Sequence, residues 1–193
     1  VCSSDLDVAL AIELFTEGSL NTFAKPTNVD TNSRILCYDI RDLGKQLLPV
    51  GMLVVLDSVF NRIIRNRRLG RSTWVYIDEI YLLFQHEYSA NFLFTLWKRV
   101  RKYGACCTGL TQNVDDLLQS HTARTMLANS EFLVMLNQAS TDRAELPRLL
   151  NISDNQLSYI TNVDFGRGLI KCGSAIVPFM DHFPKNNLYR LMS

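Results

Sequence analysis

The sequence predicts an α/β fold, with helices packed on a mostly parallel sheet. Three apolar runs of strand length end in polar residues, at Thr73–Asp78, Ala105–Gln112 and Glu131–Asn137. Segments of helical periodicity separate these runs, and strands separated by helices of ten or more residues are expected to pair in parallel through right-handed crossovers. A composition of 47% hydrophobic and 20% charged residues over 193 residues indicates one globular chain with a sizeable core.

The first third of the chain predicts a loop, a strand and a long helix. Residues 17–33 are polar, so we expect an insertion loop. Arg34–Ile40 alternates between apolar and polar side chains, which predicts a strand. Lys45–Arg68 carries apolar side chains three and four positions apart, which predicts a helix.

The rest of the chain continues the alternation of helices and strands. Thr73–Asp78 is expected to be a buried strand, and residues 89–103 form the next predicted helix. A helical segment is expected over residues 114–130. Gly166–Met180 predicts a C-terminal β-hairpin that turns at Gly173 and Ser174.

The chain shows no repeat, low-complexity tract or linker, so residues 1–193 are predicted to form one domain. It begins without Met, apparently in the middle of an element. We therefore expect a fragment whose N-terminal part is missing, with a few foreign residues before Leu6.

Charge and composition argue against several classes of protein. A net charge of +1 gives no global attraction to nucleic acid or to an anionic membrane. Five cysteines without framework spacing indicate reduced thiols of a cytosolic protein, and three separated histidines match no zinc site. No run reaches the ~20 apolar residues that span a bilayer, since the longest, Leu47–Leu56, stops at Asp57.

Two adjacent carboxylates, Asp78 and Glu79, follow the strand that begins at Thr73. Two adjacent carboxylates repel each other when both are ionised. This cost is avoided where a cation binds them, or where separate chemical roles give them different pKa values. Asp78 can hold the water shell of Mg²⁺, and Glu79 can deprotonate the water that attacks a γ-phosphate. This is the Walker B arrangement of additional-strand NTPases, whereas capping of the next helix and surface charge is the structural alternative.

A second strand end strengthens the NTPase interpretation. Thr111 and Gln112 follow the next apolar run, and a glutamine there can contact both the γ-phosphate and the attacking water. Capping of the following helix by Asn113 explains the same residues without a ligand.

Two basic segments remain open to several interpretations. Residues 97–104, WKRVRKYG, place Arg101 on a helix face and Arg99 at its edge. This face could be only a solvated basic surface, or it could supply an arginine to a neighbouring subunit's nucleotide. Residues 61–71, NRIIRNRRLGR, hold five arginines that could contact nucleic-acid phosphates, a neighbouring subunit's acids, or only water.

The order and spacing of five segments resemble the C-terminal part of a known family. The segments are YIDEIYLLF, LWKRVRKYG, GLTQNVDDLL, NSEFLVMLNQASTDRAEL and LNISDNQLSYITN followed by GRGLIKCGSAIVPF. They resemble the VirB-four/CagE/TrbE family of conjugation-type type IV secretion ATPases, of the kind carried by conjugative elements of Gram-positive bacteria. The resemblance covers Leu6 to Ser193.

The resemblance implies a RecA-like P-loop NTPase core of the HerA/FtsK type, so that residues 1–193 form one partial motor domain. It implies hydrolysis of ATP with Mg²⁺ to drive channel or pilus assembly and substrate transfer. The implied assembly is a hexamer that meets type IV secretion channel proteins, in the cytoplasm and peripherally associated with the cell membrane.

The resemblance also implies roles for individual residues. Asp78 matches the Walker B aspartate, Glu79 the catalytic glutamate and Gln112 the sensor glutamine. Arg101 matches the arginine that acts in trans, with Arg99 as the reserve. A weaker correspondence aligns Gly166, Arg167 and Gly168 with a late glycine motif near the subunit interface.

The sequence departs from the family in one respect: it contains no G-x-x-x-x-G-K-[ST] phosphate loop. In the family this loop lies upstream of where the chain starts, so the chain alone is expected to bind nucleotide poorly and to be inactive. Two alternatives stay open. One is a DNA-translocating motor like FtsK or the conjugation coupling protein, with direct DNA contact; the other is a catalytically incomplete interaction module.

Overall fold

The computed structural model describes residues 9, 12–13, 15–18, 21–26, 28–112, 114–137 and 145–192, without the side chains of residues 45, 145 and 146. The helices are α1 (Gly44–Arg68), α2 (Glu87–Arg99), α3 (Val114–Gln119), α4 (His121–Ala128), α5 (Glu145–Leu150), α6 (Asp154–Leu157) and α7 (Asn187–Met192). The strands are β1 (Thr73–Ile77), β2 (Ala105–Gly109), β3 (Phe132–Met135), β4 (Arg167–Cys172) and β5 (Ala175–Met180). Short 3-10 helices lie between them. The predicted α/β class is confirmed.

β1 and β2 form a parallel pair, as the helical crossover between them predicts. The register runs from Thr73 opposite Ala105 to Ile77 opposite Gly109. The crossover consists of a 3-10 helix (Ile80–Phe84), then α2, then a second 3-10 helix (Val100–Tyr103).

β3, β4 and β5 form a separate antiparallel sheet in that order. The predicted hairpin is confirmed, since β4 and β5 pair on either side of Gly173 and Ser174. β3 pairs with β4 and not in parallel with β2 within the described residues. The sequence rule for crossovers applies only to strands of one sheet, and β3 belongs to the sheet of the hairpin.

Strand β1 is correctly located, but the prediction that it is buried holds for one face only. Val75 and Ile77 are partly covered, whereas Trp74 and Tyr76 are 65% and 67% exposed. Apolar side chains on both faces of a strand suggest burial on both sides, but they do not show what covers each face.

A buried apolar cluster joins the antiparallel sheet to the helices beside it. Its members are Leu118, Met135, Leu150, Ile152, Ile160 and Leu169. Helix α6 begins with a capping box: the Ser153 side chain accepts from the backbone of Gln156, whose side chain accepts from the Ser153 amide.

Aromatic contacts hold the C-terminal half of α1 against the crossover segment. The Phe60 ring lies edge-on to Phe92 of α2, with centroids 6.2 Å apart, and edge-on to Tyr103 at 5.5 Å. The Arg67 guanidinium lies over the same Tyr103 ring at 5.3 Å. The end of α1 is therefore fixed next to the segment that leads into β2.

The chain divides into two compact units, Val1–Val55 and Leu56–Ser193. The first contains a 3-10 helix at Asn21–Ala24, within the predicted insertion 17–33, and a second at Arg41–Leu43. The assignment of residues 1–193 to one partial motor domain, with residues 17–33 as an insertion, stays a prediction.

The predicted strand Arg34–Ile40 is wrong, because these residues form no strand. Alternation specifies a strand only where a partner strand and a buried face are present, and Ile35 is 84% exposed. Instead, the Asp39 carboxylate accepts hydrogen bonds from the guanidinium and from the backbone amide of Arg41, and these bonds lower the pKa of Asp39 to about 2.

Helix α1 agrees with the predicted Lys45–Arg68 to within one residue. Among the described residues, one helix segment, Gln46–Arg68, is long and apolar enough to cross a membrane. The expectation that no segment reaches this length is therefore wrong. A core helix of a globular protein passes the same test, so length and composition are weak evidence for a membrane span.

Candidate active site

The ends of β1 and β2 are tied together by main-chain hydrogen bonds. The Leu110 amide donates to the Ile77 carbonyl at 2.8 Å, and the Ile80 amide donates to the Leu110 carbonyl at 2.9 Å. The parallel register therefore continues past both strands. It brings the predicted acids and the predicted sensor residues to one place, the carboxyl edge, formed by Asp78, Glu79, Thr111 and Gln112.

Asp78 is exposed and has a fixed orientation. Its Oδ1 accepts a hydrogen bond from the Glu79 amide at 3.0 Å. This bond leaves the other carboxylate oxygen, Oδ2, directed away from the amide, and ionised carboxylates have more acceptor sites than one such bond occupies. Asp78 can therefore accept from ligand water while it holds the backbone of its neighbour.

Glu79 adopts a backbone conformation that is unusual for its residue type. Its φ and ψ are 46° and 49°, in the left-handed region. A residue with a Cβ loses roughly 1–2 kcal/mol there, and such strain concentrates at functional sites. The Oε2 atom is also buried, with no hydrogen-bond partner among the described residues. A strained acid with an unsatisfied oxygen costs stability, which favours a chemical role for Glu79 over simple helix capping.

The sensor segment directly follows β2. Gln112 is exposed, and Thr111 is partly buried and has a bonding partner within the chain. Asn113, the residue of the capping alternative, lies outside the described residues, as does Gln138. Asn137 follows β3, in the other sheet, where its Oδ1 accepts from the Val163 amide at 3.4 Å. The ends of β1 and β2 thus share one edge, whereas the end of β3 lies in the other sheet.

The structure does not bring Arg99 and Arg101 to the carboxyl edge. Arg99 ends α2, and Arg101 lies in the 3-10 helix that directly precedes β2; both are exposed. They therefore lie by the opposite end of the parallel pair. Five strand residues at about 3.3 Å each separate the two ends by about 16 Å. Neither arginine can contact a ligand at the carboxyl edge of its own chain.

Both basic segments meet at this opposite end, the amino edge, formed by Arg67, Arg68, Arg71, Arg101 and Lys102. The Arg67–Tyr103 contact joins the segments, and the Thr73 amide donates to the Gly104 carbonyl at 3.3 Å beside them. The sequence indicates each segment but not that the two meet. The available signal was that each one directly precedes a strand of the same parallel pair.

Both glycines of the late motif are required by close packing. A Cβ at Gly166, whose φ is 80°, would meet the Asp181 carbonyl oxygen. A Cβ at Gly168 would meet the Met135 carbonyl oxygen, and Gly168 is buried. Arg167 is exposed and forms an ion pair with Asp164 at 3.5 Å. The structure thus gives Gly166 and Gly168 a role in joining β4 to its neighbours.

A cavity of about 270 Å³ lies beside this motif. It is lined by Leu136, Asn137, Val163, Asp164, Phe165, Gly166 and Arg167. This cavity was not predicted from the sequence, because its lining combines the end of β3 with residues 163–167, which are distant in sequence and meet only in the folded chain.

The carboxyl edge fits a magnesium–nucleotide complex better than a metal ion alone. Carboxylate, amide and hydroxyl oxygens are ligands that suit Mg²⁺. Within the described residues, however, no group of three His, Cys, Asp or Glu side chains could hold a metal ion. Mg²⁺ ordinarily keeps several waters and binds one or two carboxylates together with substrate phosphates. The exposed Asp78 and the strained Glu79 beside it supply the one or two carboxylates that this mode of binding requires.

A parallel strand pair that carries two adjacent acids and a glutamine at its carboxyl edge is the arrangement expected of a P-loop NTPase core. The TraG P-loop domain family matches residues 25–167, most of the chain. The chain belongs to the TraG P-loop domain family. No curated protein sequence matches it.

A solved structure confirms the fold. The structure of VirB4 of Thermoanaerobacter pseudethanolicus superposes with a TM-score of 0.81 at 24% sequence identity. The match covers 96% of this chain and 52% of that chain, so this chain spans about half the length of the protein it resembles. The predicted resemblance to conjugation-type secretion ATPases and the predicted RecA-like P-loop fold are both confirmed.

Proposed function

We propose that the full-length protein containing this chain hydrolyses ATP to power type IV secretion or conjugal transfer. The hydrolysis of ATP drives the assembly of a channel or pilus and the transfer of DNA or protein through it. Membership of the P-loop family supports the class of reaction. The observation that carries the proposal is the pair of bonds through Leu110, which holds the Glu79 and Gln112 backbones at one edge.

The proposed chemistry assigns a separate task to each residue of the carboxyl edge. Glu79 accepts the proton of the water that attacks the γ-phosphorus, as ADP leaves. Gln112 orients that water and the terminal phosphate through its amide. Asp78 holds Mg²⁺ through water, and the ion when bound supplies positive charge to the phosphate oxygens.

The geometry favours a trans role for the arginines. Arg101, with Arg99 as the reserve, lies about 16 Å from the carboxyl edge of its own chain, so a ring assembly is needed to deliver it to a neighbour's nucleotide. The proposed assembly is a hexamer that meets channel proteins at the cytoplasmic face of the membrane. Arg167 is proposed to contribute to the interface between subunits, beside the packed Gly168.

A second candidate function is a DNA-translocating motor, and the amino edge is the observation that favours it. Its exposed arginines bring positive charge from two segments onto one surface. Contacts from such a surface to DNA phosphates weaken as salt is added. DNA binding that falls steeply with salt and is lost on Arg68→Gln with Arg71→Gln would favour this function over the trans-arginine role.

A catalytically incomplete interaction module is the remaining alternative for the 193-residue chain alone. The chain carries the hydrolytic residues without a phosphate-loop motif, and it is therefore expected to be inactive by itself. The proposed activity belongs to the full-length protein.

Replacing Glu79 by Gln in the full-length protein tests the proposal. The substitution keeps the shape but removes the group that accepts a proton, so turnover should fall by about 100-fold or more while nucleotide affinity is retained. The measurements are steady-state phosphate release and nucleotide titration. Glu131→Gln, at an exposed glutamate before β3, is the matched control and should behave as the wild type. Wild-type turnover in Glu79→Gln would remove Glu79 from the reaction.

A further inference from the structure

Gly109, the last residue of β2, lies directly beneath the side chain of Ile80. A Cβ built on Gly109 would lie 2.5 Å from Ile80 Cδ1, 3.3 Å from Cγ2 and 3.4 Å from Cβ. The backbone of Gly109 does not require glycine, since its φ is not positive. A methyl group there would displace Ile80 Cδ1, the end of the side chain, and would also crowd Cγ2 and Cβ, so the close approach of Ile80 is what favours glycine at this position.

Ile80 has little room to move away. Its side chain is 6% exposed, and its amide donates to the Leu110 carbonyl at 2.9 Å, one residue beyond Gly109. Ile80 is thus attached to the β2 strand end by its main chain and by its side chain.

Glu79 lies between Asp78, which follows β1, and Ile80, which is bonded to the end of β2. Its amide is bonded to Asp78 Oδ1 at 3.0 Å, and Ile80 follows it directly. A left-handed conformation at a residue with a Cβ persists only where the surroundings impose it. On the C-terminal side of Glu79, the left-handed conformation is imposed by the contacts that hold Ile80 against the end of β2.

We propose that Gly109 is a positioning residue for the catalytic glutamate: its missing side chain lets Ile80 seat on β2 and so fixes the backbone of Glu79. This inference rests on the proposed function for its catalytic consequence. Gly109 itself contacts no reacting atom. It links the strand that carries Gln112 to the conformation of Glu79, so it fixes the position of Glu79 relative to Gln112.

Gly109→Ala in the full-length protein tests the inference. The added methyl group displaces Ile80 and with it Glu79, so we expect turnover to fall by about 10- to 100-fold. The KM for ATP should stay within about twofold, because the groups that bind the phosphates are not displaced. Hydrogen exchange of the Ile80 amide, followed by mass spectrometry, should become faster by about tenfold.

Rescue distinguishes positioning from a general loss of folding. Ile80→Val deletes Cδ1, the atom nearest to the added methyl group. Gly109→Ala combined with Ile80→Val should therefore recover most of the turnover and the slow exchange. Cys106→Ala, on the exposed opposite face of β2, is the control and should change neither quantity.

Wild-type turnover and exchange in Gly109→Ala would overturn the inference, and so would a loss that Ile80→Val leaves unchanged. A wild-type protein that does not hydrolyse ATP would refute the proposed function instead. In that case the exchange of the Ile80 amide still decides whether Gly109 holds this segment in place.

Discussion

At the scale of single residues, the proposed mechanism depends most on Glu79. The sequence predicted its role from its place directly after Asp78 at a strand end. It did not predict the left-handed backbone, because glutamate has no preference for that region and the conformation follows from the bonds of Asp78 and Ile80. The buried Oε2 was equally unpredictable, since burial depends on segments distant in sequence.

The strain at Glu79 predicts a gain in stability when the side chain is removed. Glu79→Gly should raise the free energy of unfolding of the chain by about 1 kcal/mol, because glycine relieves the left-handed strain and the unpaired oxygen is lost. Thermal unfolding should show an increase of about 2–4 °C for a chain of this size. The same change should abolish turnover in the full-length protein.

Glu131→Gly supplies the matched control for this stability measurement. Glu131 is exposed and has no positive φ, so glycine there should lower stability by about 0.5–1 kcal/mol through the greater entropy of the unfolded chain. A decrease in stability for both variants would contradict the assignment of strain to Glu79.

At the scale of elements, the strands of the parallel pair and the hairpin were predictable from sequence. Each is a short apolar run bounded by turn residues or polar residues, and the bounds agree within a few residues. The partner of β3 was not predictable, because local sequence does not distinguish pairing with β2 from pairing with β4. Arg34–Ile40 failed for a related reason, since its alternation lacks a partner strand.

The alternation of β2 predicts different reactivity for its two adjacent cysteines. Cys106 is exposed, whereas burial, with the adjacent Cys106 adding to the effect, raises the pKa of the Cys107 thiol to about 12. The thiolate is the reactive form, so at pH 8 an alkylating reagent should modify Cys106 well before Cys107. Peptide mass spectrometry of the folded chain measures this order. The denatured chain is the control, and both cysteines should react there at equal rates. Equal rates in the folded chain would contradict the assigned faces.

At the scale of the whole molecule, the two ends of the parallel pair carry different groups. The carboxyl edge has the two acids and Gln112, and the amino edge has exposed arginines from two segments. The sequence could indicate each segment but not their union, which depends on the contact of Arg67 with Tyr103. The sequence also could not indicate that one face of β1 is exposed while the other is partly covered.

The separation of the two edges predicts complementation between inactive subunits. Arg101→Ala and Glu79→Gln should each inactivate the full-length protein, and mixing them should restore part of the turnover. Recovery is expected because a Glu79 from one subunit can face an Arg101 from the next. Arg101→Ala mixed with Arg101→Lys is the control, which should remain low. No recovery in a mixture shown to contain mixed oligomers would exclude the trans role.

The joint role of Glu79 and Gln112 is tested most directly by a structure of the full-length protein with Mg²⁺, ADP and aluminium fluoride as the mimic of the transferred phosphoryl group. We expect the Glu79 carboxylate and the Gln112 amide both to lie within about 3 Å of the attacking water or of the fluoride ligands. A structure in which either side chain remains more than about 6 Å from that group, with the nucleotide bound at the carboxyl edge or elsewhere, would contradict it.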